Sequence, residues 1–139
     1  MQKIVIDTNV MVSALIQRSY PYRIIYDLFI DEKFQLCVSD ELLAEYHEVL
    51  TRRKFSKFQD FFIRAEALLA DIESKSVKYF PTIKLDLISD PDDNMVLELA
   101  DDCSADFVIT GNTTDFIFPT HRQAKIITPR EYWENYQPK

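Results

Sequence analysis

The stretch KIVIDTNV, residues 3–10, constrains the fold of this chain more than any other. Its β-branched apolar run, IVI, is typical of a strand buried on both faces of a parallel sheet, which places that strand centrally. The run ends at Asp7, and apolar residues then recur at helical spacing from Val10. Ligands bind at the carboxyl ends of the strands in open α/β sheets, so Asp7 is a candidate site residue. Capping of the following helix by Asp7 or Thr8 explains the same pattern.

Apolar periodicity predicts alternating strands and helices along the rest of the chain. Further strands are expected at 34–38, 77–80, 106–110 and 125–128, and helices at 41–50, 54–76, 94–103 and from 129 through 133. This alternation predicts a three-layer α/β/α fold with right-handed crossovers and a central parallel sheet. Gly111, the only glycine, follows a predicted strand, which indicates a backbone position where a larger residue is not tolerated.

Composition narrows the class of protein. At 139 residues the chain fits one domain, residues 1–139, and its 47% hydrophobic content is typical of a folded protein. We find no apolar run of about 18 residues and no basic leader before an apolar segment, so we expect a cytoplasmic protein without a membrane partner. Cys37 and Cys103 lie within apolar patterns and are expected to be buried and reduced rather than metal-binding.

The net charge of −7 counts against bulk electrostatic attraction to nucleic acid, because nonspecific affinity comes mainly from Lys and Arg. The objection weakens if the acidic side chains are concentrated in a metal site, since a bound divalent cation reverses the local sign of charge. An acidic chain also suits a basic partner protein.

Two further acidic positions are candidates for chemistry, and each has a structural explanation beside it. Glu45 lies in the middle of a predicted helix, where the stripe it forms with Glu41 and Glu48 is typical of a solvated face. Asp93 opens a helix within the sequence DPDDN and would reach the same sheet edge as Asp7, although turn and capping roles also explain an aspartate there.

Taken together, four segments resemble the motifs of PIN-domain proteins in their order and spacing. More narrowly, the chain is similar to the VapC-like ribonucleases, the toxin components of toxin-antitoxin pairs. The segments are IVIDTNV at 4–10, SDELLAE at 39–45, DPDDN at 90–94 and VITGN at 108–112. The resemblance covers nearly the full chain, and it implies the PIN-like version of the three-layer fold.

Carried over residue by residue, the resemblance implies that Asp7, Glu45 and Asp93 are the first three catalytic acids and the metal ligands. The fourth catalytic position, usually an aspartate, is Asn112 in this chain. An asparagine can coordinate a hard cation through its carbonyl oxygen but adds no charge, so a second metal would be held less firmly. Asp115, three residues further on, is an accessory candidate for the missing carboxylate.

The implied activity is metal-dependent hydrolysis of single-stranded RNA, with Mg²⁺ or Mn²⁺ as the cofactor. Two carboxylates about 5 Å apart repel by roughly 3 kcal/mol at an effective dielectric near 20, and a divalent cation relieves that repulsion. Thr8 and Asn9 are accessory candidates for contacts with a metal-bound water or a phosphate oxygen. Arg52, Arg53 and Lys54 are candidates for RNA binding, although basic residues there also favour a helix C-terminus.

The resemblance also implies partners. VapC-like toxins usually form homodimers and are held inactive by a cognate antitoxin that lies across helices near the active site. The aromatic residues Phe55, Phe58, Phe61 and Phe62 are a candidate docking surface, because exposed apolar patches commonly mark interfaces. Core packing explains these four residues as well.

Two other functions compete with the nuclease. A catalytically degenerate PIN domain would act as an RNA-binding or protein-binding module, an alternative that Asn112 and the acidic charge keep open. A phosphatase with a nucleophilic aspartate is disfavoured, because that chemistry commonly uses a second acid two residues later, where this chain has Asn9.

Overall fold

The computed structural model describes residues 1–111, 116 and 118–138, and a six-stranded sheet forms the centre of that part. The strands are β1 (Lys3–Ile6), β2 (Gln35–Val38), β3 (Val77–Lys78), β4 (Phe107–Ile109), β5 (Thr120–His121) and β6 (Ala124–Ile127). They lie in the order β3-β2-β1-β4-β6-β5. All neighbouring strands are parallel except β5, which pairs antiparallel with β6 at one edge. The predicted α/β class is confirmed, and the antiparallel edge strand is an addition to it.

Helices flank this sheet and alternate with its strands in the predicted order, although some of their bounds differ from those predicted. They are α1 (Thr8–Ile16), α2 (Tyr20–Arg23) continuing into a π-helical turn (Ile24–Phe29), α3 (Asp40–Leu50), a 3₁₀ helix (Arg53–Lys57), α4 (Phe61–Lys75), α5 (Pro91–Asp102) and α6 (Pro129–Asn135). In the part of the chain that the structure describes, no helix is both long and apolar enough to cross a membrane.

Strand β1 lies in the middle of the sheet, as the IVI run predicts. It is hydrogen-bonded to β2 on one side and to β4 on the other. Ile4, Val5 and Ile6 are all completely buried, because helices cover both faces of a parallel sheet. The end of β1 therefore delivers the next residue to the centre of the sheet edge. Both cysteines are buried and free, in agreement with the prediction.

The continuous helix predicted for residues 54–76 is wrong. The chain forms a 3₁₀ helix, then turns through Asp60, which has a left-handed backbone conformation with φ 59°, before α4 begins. The turn lets the buried rings of Phe55 and Phe61 stack, with centroids 4.8 Å apart. In one unbroken helix, residues six apart would point roughly 120° away from each other. Packing of this aromatic pair thus overrides the helical propensity of the segment.

Two smaller expectations also change. Of the four phenylalanines predicted as a docking surface, Phe55 and Phe61 are core residues and Phe58 is half-buried, so only Phe62 is exposed. The close approach expected at Gly111 finds no support among the described residues. Its φ is not positive, and no described atom lies within 4 Å of the position that a Cβ would take.

Candidate functional site

Asp7 follows β1 directly and is held at the sheet edge by both of its carboxylate oxygens. Oδ1 accepts a hydrogen bond of 2.8 Å from the backbone N–H of Thr8, and Oδ2 accepts one of 2.9 Å from the hydroxyl of Thr110. The Asp7 backbone N–H donates to the Ile109 carbonyl at 3.0 Å. Asp7 therefore caps α1 and also lies at the predicted edge, so the two explanations of this residue are compatible.

Glu45 is joined to this edge through Thr8. The Thr8 hydroxyl donates a hydrogen bond of 2.6 Å to Oε2 of Glu45, and Thr8 is itself only 5% exposed. The next residue, Tyr46, is completely buried and donates its hydroxyl hydrogen to the Ile6 carbonyl at the end of β1. This bond fixes the middle turn of α3 against β1, which explains why Glu45, rather than another residue of the stripe, meets Thr8.

The electrostatics of the edge are those of several neighbouring negative charges. The pKa of Glu45 is raised, chiefly because the carboxylate loses contact with water, although the Thr8 hydrogen bond lowers it. Asp92, Asp7 and Asp90 raise it further. Burial raises the pKa of Tyr46 well above its ordinary value, and the charges of Asp7 and Glu45 add to that effect. The folded chain thus disfavours the charged forms of Glu45 and Tyr46.

Asp93 is presented by the first turn of α5, which packs against β1 and α3. Asp90 caps this helix, with its Oδ1 accepting from the Asp92 backbone N–H at 2.9 Å. The Asp93 N–H donates to the Asp90 carbonyl at 3.2 Å, and Asp93 is 7% exposed, whereas Asp90 and Asp92 are exposed. The capping role considered for Asp93 belongs to Asp90, so Asp93 is not explained as a cap.

The structure brings some of the predicted site residues together and leaves others apart or undescribed. It links Asp7, Thr8 and Glu45 by hydrogen bonds, whereas Asn9 is exposed. Asn112 and Asp115 lie outside the described residues. Within residues 1–111, 116 and 118–138, no group of three or more acidic, histidine or cysteine side chains has the placement of a metal site. A shared metal site of Asp7, Glu45 and Asp93 therefore stays a prediction.

Sequence reasoning missed two residues that shape this edge, Thr110 and Tyr46. The sequence held a signal for Thr110, because the apolar runs of β1 and β4 are each followed directly by a polar residue. The structure pairs Ile6 with Ile109, the last residues of these two runs. Asp7 and Thr110 consequently meet one step beyond the paired residues. No sequence signal distinguished Tyr46 from other apolar positions of its helix, since its hydroxyl partner lies forty residues earlier in the chain.

The basic residues predicted for RNA binding are all exposed on the surface. Arg52 is engaged by Glu48 through two hydrogen bonds, of 3.1 and 2.7 Å, and Lys54 lies over the ring of Phe55 with its ammonium 5.2 Å from the centroid. Glu48 partly neutralises the charge of Arg52. Of the three residues, Arg53 and Lys54 are therefore the better candidates for the predicted RNA contacts.

The fold and the edge together define an α/β domain with oxygen-rich side chains at the carboxyl end of its central parallel strand. The chain belongs to the PIN domain family, because the model of that family matches residues 3–114. The matched span includes Asp7, Glu45 and Asp93. PIN domains are generally nucleases. The resemblance of the four motifs is thereby confirmed at the level of the family.

Two individual proteins are similar to this chain along most of their length. The uncharacterized protein MJ1680 of Methanocaldococcus jannaschii is 29% identical over 143 residues, which cover 97% of this chain and 92% of that protein. A chain in the crystal structure of VapBC2 from Rickettsia felis, bound to a DNA fragment from their promoter, superposes with a TM-score of 0.60. That match covers 91% of this chain and 98% of the other at 16% identity, and it shows a shared fold.

Proposed function

We propose that this protein is a metal-dependent endoribonuclease that cleaves single-stranded RNA. The observation that carries the proposal is the meeting of Asp7 and Glu45 at Thr8, on the carboxyl edge of the central strand of a PIN domain. A carboxylate whose pKa is raised by burial and by neighbouring negative charges costs stability at neutral pH unless something compensates it, and perturbed acids of this kind concentrate at functional sites. A divalent cation is the natural compensation for such a group.

The donor atoms of the edge suit Mg²⁺ or Mn²⁺, because they are carboxylate and hydroxyl oxygens without cysteine or histidine. Asp7, Glu45 and Asp93 would hold the ion, with Asn112 and Asp115 as further oxygen ligands. When bound, such a cation activates water for attack on phosphorus and stabilises charge on the scissile phosphate. In this arrangement Thr8 orients Asp7 and Glu45 relative to each other, and Thr110 fixes the second oxygen of Asp7. Thr8 and Asn9 are the nearest candidates for contacts with a phosphate oxygen.

We further propose that the protein is the toxin of a toxin-antitoxin pair, with a cognate antitoxin as partner and a homodimer as its assembly. The fold match to a VapBC2 chain supports the antitoxin partner, and the homodimer is proposed from the family resemblance alone. A groove of about 520 Å³ between α3 and α4 is a candidate docking place for the antitoxin. Leu50, Phe62 and Leu69 line it, and His47 and Glu73 are joined across it by a contact of 2.7 Å.

A binding module without catalysis remains the second candidate, and a specific observation favours it. The position usually held by a fourth acid is Asn112, which removes one negative charge from the predicted ligand set. Such a module would hold RNA or a protein at the same edge without hydrolysis. The two candidates differ in whether metal and the acids are needed for turnover.

The test is cleavage of a mixed pool of single-stranded RNA in Mn²⁺, in Mg²⁺ and in EDTA. The wild type is compared with Asp7→Asn and Asp93→Asn, and with Asp102→Asn, which changes an exposed aspartate at the far end of α5. We expect cleavage that needs metal, is lost in the first two variants and is retained in the third. Failure in every metal, together with no Mn²⁺-induced rise in melting temperature, would favour the binding module.

A further inference from the structure

Residues 81–89, here called the strap, connect β3 to α5 without forming a helix or a strand. The strap leads directly into Asp90, the cap of the helix that carries Asp93. The strap is therefore continuous with the turn that presents Asp93. One side chain of α5, that of Asn94, holds the end of the strap.

Asn94 is 5% exposed and uses both ends of its side-chain amide. Oδ1 accepts hydrogen bonds from the backbone N–H groups of Leu87 and Ile88, at 3.0 and 2.9 Å. Nδ2 donates to the carbonyl of Ile88 at 2.6 Å and, more weakly, to that of Asp90 at 3.4 Å. Four backbone groups of the strap and the following turn are thus held by one side chain.

The Asp90 carbonyl ties this arrangement to the helix start. It also accepts from the backbone N–H groups of Asp93 and Asn94, both at 3.2 Å. The side chain of Asn94 and the first turn of α5 therefore share one anchoring oxygen. A shift of the strap relative to α5 would move Asp90 and, with it, the turn that presents Asp93.

The amide is the chemical group that this position requires. An aspartate would keep the two accepted bonds but lose both donated ones, and it would add another negative charge beside Asp90, Asp92 and Asp93. An alanine would leave the buried N–H of Ile88, and the partly buried N–H of Leu87, without their acceptor, which destabilises the end of the strap.

We infer that Asn94 is a positioning residue, which holds the strap against α5 so that Asp93 faces the acidic edge in the geometry that a divalent cation needs. The inference rests on the proposed function, because it assigns a role toward the metal of that site. Asn94 itself contacts backbone groups and is not assigned as a ligand.

Glu98, one turn further along α5, provides the matched control. It is 7% exposed and holds the middle of the same strap, with Oε2 accepting from the Leu85 N–H at 2.7 Å and Oε1 lying 3.7 Å from the Lys84 ammonium. Replacement of Glu98 should loosen the middle of the strap and leave the end next to Asp90 in place. Comparing the Asn94 and Glu98 variants thus separates a general loss of stability from a displacement of Asp93 at the start of α5.

The experiment is a titration of the full chain with Mn²⁺ alone, with free Mn²⁺ followed by electron paramagnetic resonance and no RNA present. Wild type, Asn94→Ala and Glu98→Ala are compared, and the melting temperature of each is measured in EDTA. We expect both variants to melt at lower temperature, with Mn²⁺ affinity reduced about tenfold in Asn94→Ala and within twofold of wild type in Glu98→Ala. Amide hydrogen exchange in EDTA should show faster exchange at Leu87 and Ile88 in Asn94→Ala only.

Unchanged Mn²⁺ affinity in Asn94→Ala would overturn the positioning role and leave the proposed nuclease intact. Equal loss of affinity in both variants would also overturn it, since general destabilisation would then explain the result. A wild type that binds no Mn²⁺ and cleaves no RNA would remove the proposed function, and the role of Asn94 would fall with it.

Discussion

Two of the three glutamates of helix α3, Glu45 and Glu48, are three residues apart and have opposite surroundings. Glu45 accepts a hydrogen bond from Thr8 and lies near other carboxylates that raise its pKa. Glu48, with a side chain that is 62% exposed, is paired with Arg52 through two hydrogen bonds on the outer face of the helix. One glutamate meets negative charge and the other meets positive charge.

The difference shows where this protein departs from the arrangement that favours stability alone. On the outer face, a surface ion pair adds little to the free energy of unfolding, because its attraction is largely offset by lost side-chain entropy, but it carries no charge repulsion. At the sheet edge, Glu45 is held among Asp7, Asp90 and Asp92 although its charged form is disfavoured there. Sites that keep unfavourable charge in the folded state are usually those where function depends on it.

The largest effect expected from this comparison is on catalysis. Glu45→Gln should reduce metal-dependent RNA cleavage at least about 100-fold, because it removes a charge from the predicted ligand set. Glu48→Gln makes the same chemical change one helical turn away and should leave cleavage within twofold of wild type. Rates at saturating RNA in Mn²⁺ measure both. Similar losses in the two variants would show that α3 contributes through its overall charge rather than through Glu45.

The second effect is on stability, where the same Glu45→Gln change is expected to be favourable although it reduces cleavage. The pKa of Glu45 is raised in the folded state. The protonated Glu45 side chain therefore contributes fully to stability below the ordinary glutamate pKa of about 4.3, and this contribution is lost as pH rises through the folded pKa. Glu45→Gln should therefore increase the free energy of unfolding at pH 7, by less than about 1 kcal/mol because the side chain is only partly buried. Urea denaturation in EDTA measures this. The gain over wild type should vanish near pH 4, and a gain that persists there would point to packing instead of charge.

The smallest effect concerns the outer face. Arg52→Gln should lower the free energy of unfolding only slightly, by less than Glu45→Gln raises it, since it breaks an exposed pair with i, i+4 spacing. The loss should shrink in 1 M NaCl, where the Debye length is about 3 Å. Arg53→Gln, an exposed neighbour, is the control and should be neutral. A loss for Arg52→Gln that exceeds the gain for Glu45→Gln would mean that the outer face contributes more to the fold than a surface pair can.

Sequence reasoning reached the fold and part of the site because both depend on local patterns. The IVI run placed β1 at the centre of the sheet, and a polar residue directly after it placed Asp7 at the edge. Helical periodicity did not separate Glu45 from Glu41 and Glu48, since all three fit one solvated stripe, and only the family resemblance singled it out. The break before α4 was also missed, because only the stacking of Phe55 on Phe61 requires it.

By itself, the sequence determined the order of strands and helices, the buried central strand and the acidic residue types at its end. Hydrophobic periodicity is a property of each segment, so it could be read without knowing what packs against what. Only the tertiary structure decided that Tyr46 bonds the end of β1, that Thr8 joins Asp7 to Glu45, and that Asn94 holds the approach to Asp93. Periodicity states which face of a helix is apolar, whereas the partner across that face is set by the packing of segments far apart in the chain.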